Sequence, residues 1–151
     1  MLDDIDQQII VELQKDADRK VYQLERVLKV PRSTIHNRIQ KLKKSGIITK
    51  IKAVANAKAL GLNVCAMIHV VVSFKKGVHL IAEKLSKMPN VEEVYITAGE
   101  YDLIAKVRFK DNEALSNFIF NDKNGLKVME GVERTESMIC LETIKENGLL
   151  E

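Results

Sequence analysis

Residues 31–46 read PRSTIHNRIQKLKKSG, and the reading of the whole chain turns on them. Pro31 suits the first turn of a helix, where a missing amide proton leaves nothing unsatisfied. The residue before it, Val30, is pushed out of the helical region, so any preceding helix ends there. Gly46 is suited to cap the far end. Between these signals Ile35, Ile39 and Leu42 form an apolar stripe. At 100° per residue the opposite side carries Ser33, Asn37, Gln40 and Lys44, flanked by His36 and Lys41. Asn and Gln can make paired hydrogen bonds to adenine edges, while Lys and Arg neutralise phosphates. A surface helix of an ordinary domain mixes in Asp and Glu; this one has none.

Upstream, Ile5, Ile9 and Leu13 repeat at helical spacing, which predicts an amphipathic helix over about Asp3–Lys15. Asp3, Asp4 and Asp6 lie in its first turn, where the helix dipole favours negative charge. After a polar break, Val21, Leu24 and Leu28 predict a second short helix to about Lys29. Helix, turn and basic polar helix together read as a helix-turn-helix. The charge distribution agrees. Residues 1–25 hold seven acids and three bases, whereas Arg26–Lys58 hold ten bases and no acid. Residues 64–151 hold eleven bases and fourteen acids, so the net +3 of the chain conceals one strongly basic segment. A charge run alone is more often a solvated face; its coincidence with a helix pair points to double-stranded DNA as the partner.

Downstream, Thr49–Leu62 alternates weakly and then turns small and polar, which predicts a short strand and a hinge. The remainder reads as Val64–Phe74 strand, a helix after Gly77 with Leu80, Ile81, Leu85 and Met88 inward, and Val91–Ala98 strand. A turn at Gly99-Glu-Tyr101 follows, then Asp102–Lys110 strand, a helix from about Asp111 burying Leu115, Phe118 and Ile119, and a long strand Val132–Lys145. This βαββαβ order is the ferredoxin-like arrangement. The expected fold class is therefore α+β: an N-terminal helix-turn-helix, winged-helix-like domain (1–50), a strand and hinge linker (51–62), and a C-terminal ferredoxin-like domain (63–151).

Other chemistry is thin. No apolar run reaches the roughly 18 residues of a membrane helix, and the acidic N-terminus lacks the features of a signal peptide. Cys65 and Cys140, separated by 75 residues with no CxxC spacing, read as free thiols of a reducing cytoplasm rather than as a zinc site or a disulfide framework. His36, His69 and His79 make no ligand pair. The glycines make neither a dinucleotide-binding nor a P-loop pattern. Glu92 and Glu93, adjacent on a strand, should point to opposite faces and so form no carboxylate pair. No metal, cofactor or catalytic residue is expected.

Several stretches together resemble the Lrp/AsnC (feast/famine) transcription regulators. They are LDDIDQQIIVELQKDA at 2–17, RSTIHNRIQKL at 32–42, Ser45-Gly-Ile-Ile48, and Leu60-Gly61. Arg38 falls where that family carries a characteristic arginine. The departures are Lys29 in place of a turn glycine, Pro31 in place of Ser, and Glu25 in place of a small Ala. A non-glycine in a left-handed turn costs on the order of 1 kcal/mol, while Glu25 and Lys29 are spaced for a favourable pair worth about 0.3 kcal/mol. The candidate DNA-contact set is Arg32, Ser33, Thr34, His36, Asn37, Arg38, Gln40, Lys41 and Lys44.

The resemblance also implies a second domain used for dimerisation and amino-acid sensing, with Thr97-Ala-Gly-Glu-Tyr-Asp102 and Gly131-Val-Glu-Arg-Thr135 as its signature stretches. It marks Gly99, Tyr101, Asp102, Thr135 and Ser137 as candidate effector contacts. Gly and Asp are also ordinary turn residues, which explains Gly99 and Asp102 without a ligand. The strand faces without helices, read to include Val70, Val72 and Ile104, need covering, so a homodimer is the expected minimum, with tetramers or octamers above it. Two other readings stay open: a ligand-binding or assembly protein with a degenerate DNA domain, and a sirohaem decarboxylase-like enzyme subunit, against which stands the absence of Trp.

Overall fold

A computed structural model describes residues 2–73, 77–146 and 148. The chain divides into two compact units, one of the residues up to Val54 together with those from Lys145 onward, and one from Ala55 to Ile144. The first holds three helices, α1 (Asp4–Lys15), α2 (Val21–Leu28) and α3 (Arg32–Lys44). Asp3 caps α1, its side chain accepting from the Asp6 N–H at 2.9 Å, as expected of a short carboxylate at that position. At the end of α3, Gly46 has φ +75°. The Ile47 N–H reaches back to Leu42 O at 3.0 Å and the Gly46 N–H to Lys43 O at 3.1 Å. This paired closure needs a left-handed residue, which glycine supplies without a Cβ penalty. Ile9, Leu24, Ile35, Ile39 and Leu42 form the core of this unit. A fully buried Leu or Ile contributes about 1.5–3 kcal/mol, so the apolar stripe of α3 is what fastens it down and leaves the other side outward.

The turn between α2 and α3 departs from one expectation. Lys29 is left-handed (φ +54°, ψ +36°), a conformation that strains a side-chain-bearing residue. Glu25 does not pair with Lys29: its carboxylate accepts from Arg32 Nε instead. The left-handed step swings the Lys29 side chain off the α2 surface, so the spacing of four residues no longer aligns the pair. Arg32, the first residue of α3, takes its place and bridges the two helices.

Residues 51–56, expected as a short strand, pair with no other described segment of the chain. Residues 57–61 form a turn closed by Gly61.

The second unit is built as β1 (Val64–Val72), α4 (Val78–Ser86), β2 (Val91–Ile96), β3 (Leu103–Phe109), α5 (Asn112–Phe120), a 3-10 turn (Leu126–Val128) and β4 (Val132–Ile139). The sheet order is β2-β3-β1-β4, antiparallel throughout: the ferredoxin-like fold. Strands β1 and β4 are shorter than expected; Phe74, the expected end of the first, lies outside the described residues. Ala66, Ile68, Val70 and Val72 of β1, with Leu103, Ala105, Val107 and Phe109 of β3, pack under Ile81, Leu85, Leu115 and Ile119.

Three placements differ from expectation. Leu80 is 48% exposed; the inward side of α4 is Val78, Ile81, Ala82 and Leu85, because the helix begins at Val78 and its phase follows Ile81. Val70 and Val72 belong to the helix-covered core. The open face carries the alternate residues instead, Cys65, Met67, His69 and Val71, together with Ile104, Lys106 and Arg108. Finally, a bulge between Val91 and Glu93 breaks the strict alternation of β2. Glu92 therefore reaches Lys106 Nζ at 3.2 Å and Arg108 Nε at 2.7 Å, and Glu93 stands 4.0 Å from the same Lys106. An extra residue in one strand re-aims its side chains, so two acids expected on opposite faces converge on one cation.

Candidate nucleic-acid interface and effector region

The outward side of α3 carries Ser33, His36, Asn37, Gln40, Lys41 and Lys44, all exposed; Thr34 is half-buried. Lys41 and Lys44 have no ion-pair partner among the described residues. With Lys43 they sit in the last turn, where the negative end of the helix dipole suits them. Polar groups that can read base edges thus lie between cations that can meet phosphates.

The two arginines of the expected contact set are placed differently. Arg32 is bound to Glu25. Arg38 donates through Nη1 to Asp3 Oδ1 and Oδ2 at 2.8 and 2.6 Å and to Asp6 Oδ1 at 2.8 Å. Asp6 is only 8% exposed. The Arg38 guanidinium, and after it the Asp6 N–H, hold the Asp3 carboxyl below the usual carboxylate value. The same two carboxylates raise the Arg38 guanidinium. Arg38 therefore ties the recognition helix to the start of α1 and, in this arrangement, turns away from the outward row. The sequence carried the signal: Arg38 lies about 60° from Ile35 around the helix, at the edge of the apolar stripe rather than opposite it.

In the second unit the β2–β3 turn is held at several points. Thr97 Oγ1 donates to Tyr101 O at 2.6 Å, and the Thr97 N–H donates to Asp102 O at 2.9 Å. Gly99 has φ +155°, with open space where a Cβ would stand. The Asp102 N–H donates to Val70 O at 3.0 Å, and Asp102 Oδ2 accepts from the Val72 N–H at 2.7 Å. The Asp102 carboxylate thus closes the turn against the end of β1. Tyr101 donates through its hydroxyl to Glu136, which raises the phenol, and its ring centroid lies 4.8 Å from that of His69. Arg134 covers the same ring at 5.2 Å and pairs with Glu100 at 3.2 Å.

The five expected effector residues do not all converge. Gly99, Tyr101 and Asp102 share one turn. Tyr101 meets the open-face residues His69 and Glu136, whereas Thr135 and Ser137 are in register with Val70 and Ile68 and so face the helix side. Sequence reading missed His69, Glu136 and Arg134, because only the β1–β4 register brings them beside the turn. His69 is 8% exposed, and its Nδ1 has no hydrogen-bond partner among the described residues. A shallow groove of about 210 Å³ lies nearby, lined by Lys127 and residues 132–135. No group of three or more His, Cys, Asp or Glu side chains suited to a metal ion occurs among the described residues, and none of their helices is long and apolar enough to cross a membrane.

Comparison with known proteins agrees with this architecture. Residues 2–43 match the AsnC-type helix-turn-helix domain, and residues 64–150 match the Lrp/AsnC ligand binding domain. The HTH-type transcriptional regulator FL11 of Pyrococcus furiosus is 44% identical over 147 residues, covering 97% of this chain and 93% of its own. Among solved structures, AsnC of E. coli superposes with a TM-score of 0.87 at 27% identity, covering 99% of this chain and 98% of that one. A transcriptional regulator of Neisseria meningitidis in complex with L-methionine gives a TM-score of 0.90 at 25% identity, covering 97% and 94%.

Proposed function

The chain belongs to the Lrp/AsnC family of transcription regulators, and we propose that it binds operator DNA through α3 and adjusts that binding to a free amino acid or a related metabolite. One observation carries the DNA reading: an outward helix side of Ser33, Asn37 and Gln40 flanked by Lys41 and Lys44, in a segment with ten bases and no acid. Asn37 and Gln40 read bases; Ser33, Thr34, His36, Lys41 and Lys44 hold the backbone. Arg32 and Arg38 act chiefly by fixing the helix, through Glu25 and through Asp3 and Asp6. A helix-turn-helix reads one half-site, and two are needed about one DNA turn, roughly 34 Å, apart. A homodimer is therefore the working unit, with tetramers or octamers built from it. On the open sheet face, exposed Tyr95, opposite Ile104, and exposed Met138, opposite Met67, are suited to subunit contact.

The effector reading rests on the ligand-binding domain match and on the L-methionine complex of the Neisseria relative. Backbone amides around Gly99 are available for an α-carboxylate, and Asp102 for an α-ammonium through the oxygen not held by Val72. Tyr101, Thr135 and Ser137 are further candidate contacts. A ligand changes DNA affinity only if it binds one assembly better than another. The direct test is a gel shift with the protein's own promoter DNA against a shuffled duplex, repeated with each of the twenty amino acids and paired with thermal melts. Preferential retention of the promoter, changed by at least one amino acid that also shifts the melt, is expected. Equal retention of both duplexes refutes the DNA reading. Promoter preference with no response to any amino acid refutes the amino-acid effector alone, and a monomer by light scattering at micromolar concentration refutes the assembly.

A further inference from the structure

We propose that Cys65 and Cys140 are a thiol pair that a hydroperoxide converts into an intramolecular disulfide. In sequence they stand 75 residues apart; the β1–β4 pairing removes that distance. Ala66 is paired with Ile139, and one step further along the ladder the Cys140 N–H donates to Cys65 O at 2.9 Å. The two cysteines are thus directly opposite on antiparallel backbones. Such hydrogen-bonded pairs have Cα atoms about 5.5 Å apart, inside the range of about 4.4–6.8 Å that a disulfide spans. Opposite residues also share a face of the sheet. Both are free, and neither has a role in the functions argued above.

The two sulfurs are unequal. Cys65 is 8% exposed, and burial, then the neighbouring Cys140 thiol, pushes its own thiol up, outweighing the opposite pull of Arg108 and Lys106. Cys140 is half-buried, so it is the sulfur an oxidant reaches first, and Cys65 is the resolving partner. Reactivity follows thiolate character and access in this way. In the first step the Cys140 sulfur attacks one peroxide oxygen and the O–O bond breaks. The leaving oxygen takes up the thiol proton and departs as water, leaving a sulfenic acid. In the second step the Cys65 sulfur attacks the Cys140 sulfur, the S–O bond breaks, and the hydroxide leaves as water with the Cys65 proton. Overall two thiols and one hydrogen peroxide give one disulfide and two waters.

The test treats the full chain with hydrogen peroxide, then denatures it without reductant. Both thiols should disappear together, the intact mass should fall by two hydrogens per chain with no link between chains, and dithiothreitol should restore the starting mass. The long loop closed by the bridge should raise the melting temperature by about 10 °C. Under the same peroxide dose Cys65→Ser should leave Cys140 as a sulfenic acid that a dimedone probe captures, while Cys140→Ser should leave Cys65 unmodified. Gain of oxygen by the wild-type chain, a disulfide between chains, or survival of both thiols overturns the proposal. The wild-type mass decides the matter even if a serine variant misfolds.

Discussion

The recognition helix and the open face of the sheet both present cations, yet they use them in opposite ways. On β3, Lys106 and Arg108 are 7% and 9% exposed and are held by Glu92, with Glu93 beside them. On α3, Lys41 and Lys44 stand in solvent without an ion-pair partner among the described residues. Arg38, on the same helix, is spent on Asp3 and Asp6. Residue type therefore does not decide whether a cation serves the fold or a partner; the acids within reach do. A charge already neutralised at close range has little left for a phosphate, while a solvated lysine gives up only counterions and water when it meets one.

The comparison can be broken first where the effect is largest. Glu92→Ala removes the acid that Lys106 and Arg108 share at a nearly buried position and should lower stability by about 1–2 kcal/mol in denaturant unfolding. A cost below about 0.5 kcal/mol would mean that the β3 cations do not depend on their acids. DNA affinity per folded molecule should be unchanged. On α3 the pattern should invert. Lys41→Ala and Lys44→Ala should each leave stability within about 0.5 kcal/mol, weaken binding to all duplexes, and lower the salt slope by about one per lost phosphate contact.

A smaller effect sharpens the picture at the turn. Lys29→Gly relieves the left-handed backbone (φ +54°) and should raise stability by about 0.5–1 kcal/mol; a loss instead would show that the Lys29 side chain earns its place through contacts. The smallest concerns Asp3. Its carboxyl is depressed by Arg38 below the ordinary 3.8. Its contribution is therefore fully present above pH 3.8 and is lost as the pH falls through the folded value. Thermal melts of the wild type and of Asp3→Asn should differ at neutral pH and converge in acid. A difference that persists undiminished below that range contradicts the clamp.

Much of this was legible in the sequence because local rules set it. The stripe Ile35, Ile39 and Leu42, the Gly46 cap and the alternation Leu103, Ala105, Val107 and Phe109 depend on neighbours along the chain. What escaped depends on contacts distant in sequence. Nothing near Arg38 announces Asp3, and only the β1–β4 register brings Tyr101 to Glu136 or Cys65 to Cys140. The face of β1 was misread for a related reason. Almost every residue from Val64 to Val72 is apolar, so alternation could not tell the side holding Val70 from the side holding His69. The bulge in β2 likewise leaves no mark in composition, and it alone brings Glu92 and Glu93 onto one lysine.

The central claim, that the outward side of α3 divides into base-reading amides and phosphate-holding lysines, meets its most direct test in a salt titration of DNA binding. Fluorescence anisotropy would follow the preferred duplex and a shuffled one for the wild type, Asn37→Ala with Gln40→Ala, and Lys41→Ala with Lys44→Ala. The amide pair should lose at least tenfold on the preferred duplex, each amide being worth about 1–3 kcal/mol, and little on the shuffled one, with the salt slope intact. The lysine pair should lose affinity for both duplexes alike and shed about two units of slope. If both pairs weaken the two duplexes equally, or neither pair changes binding, the division of labour on α3 is wrong.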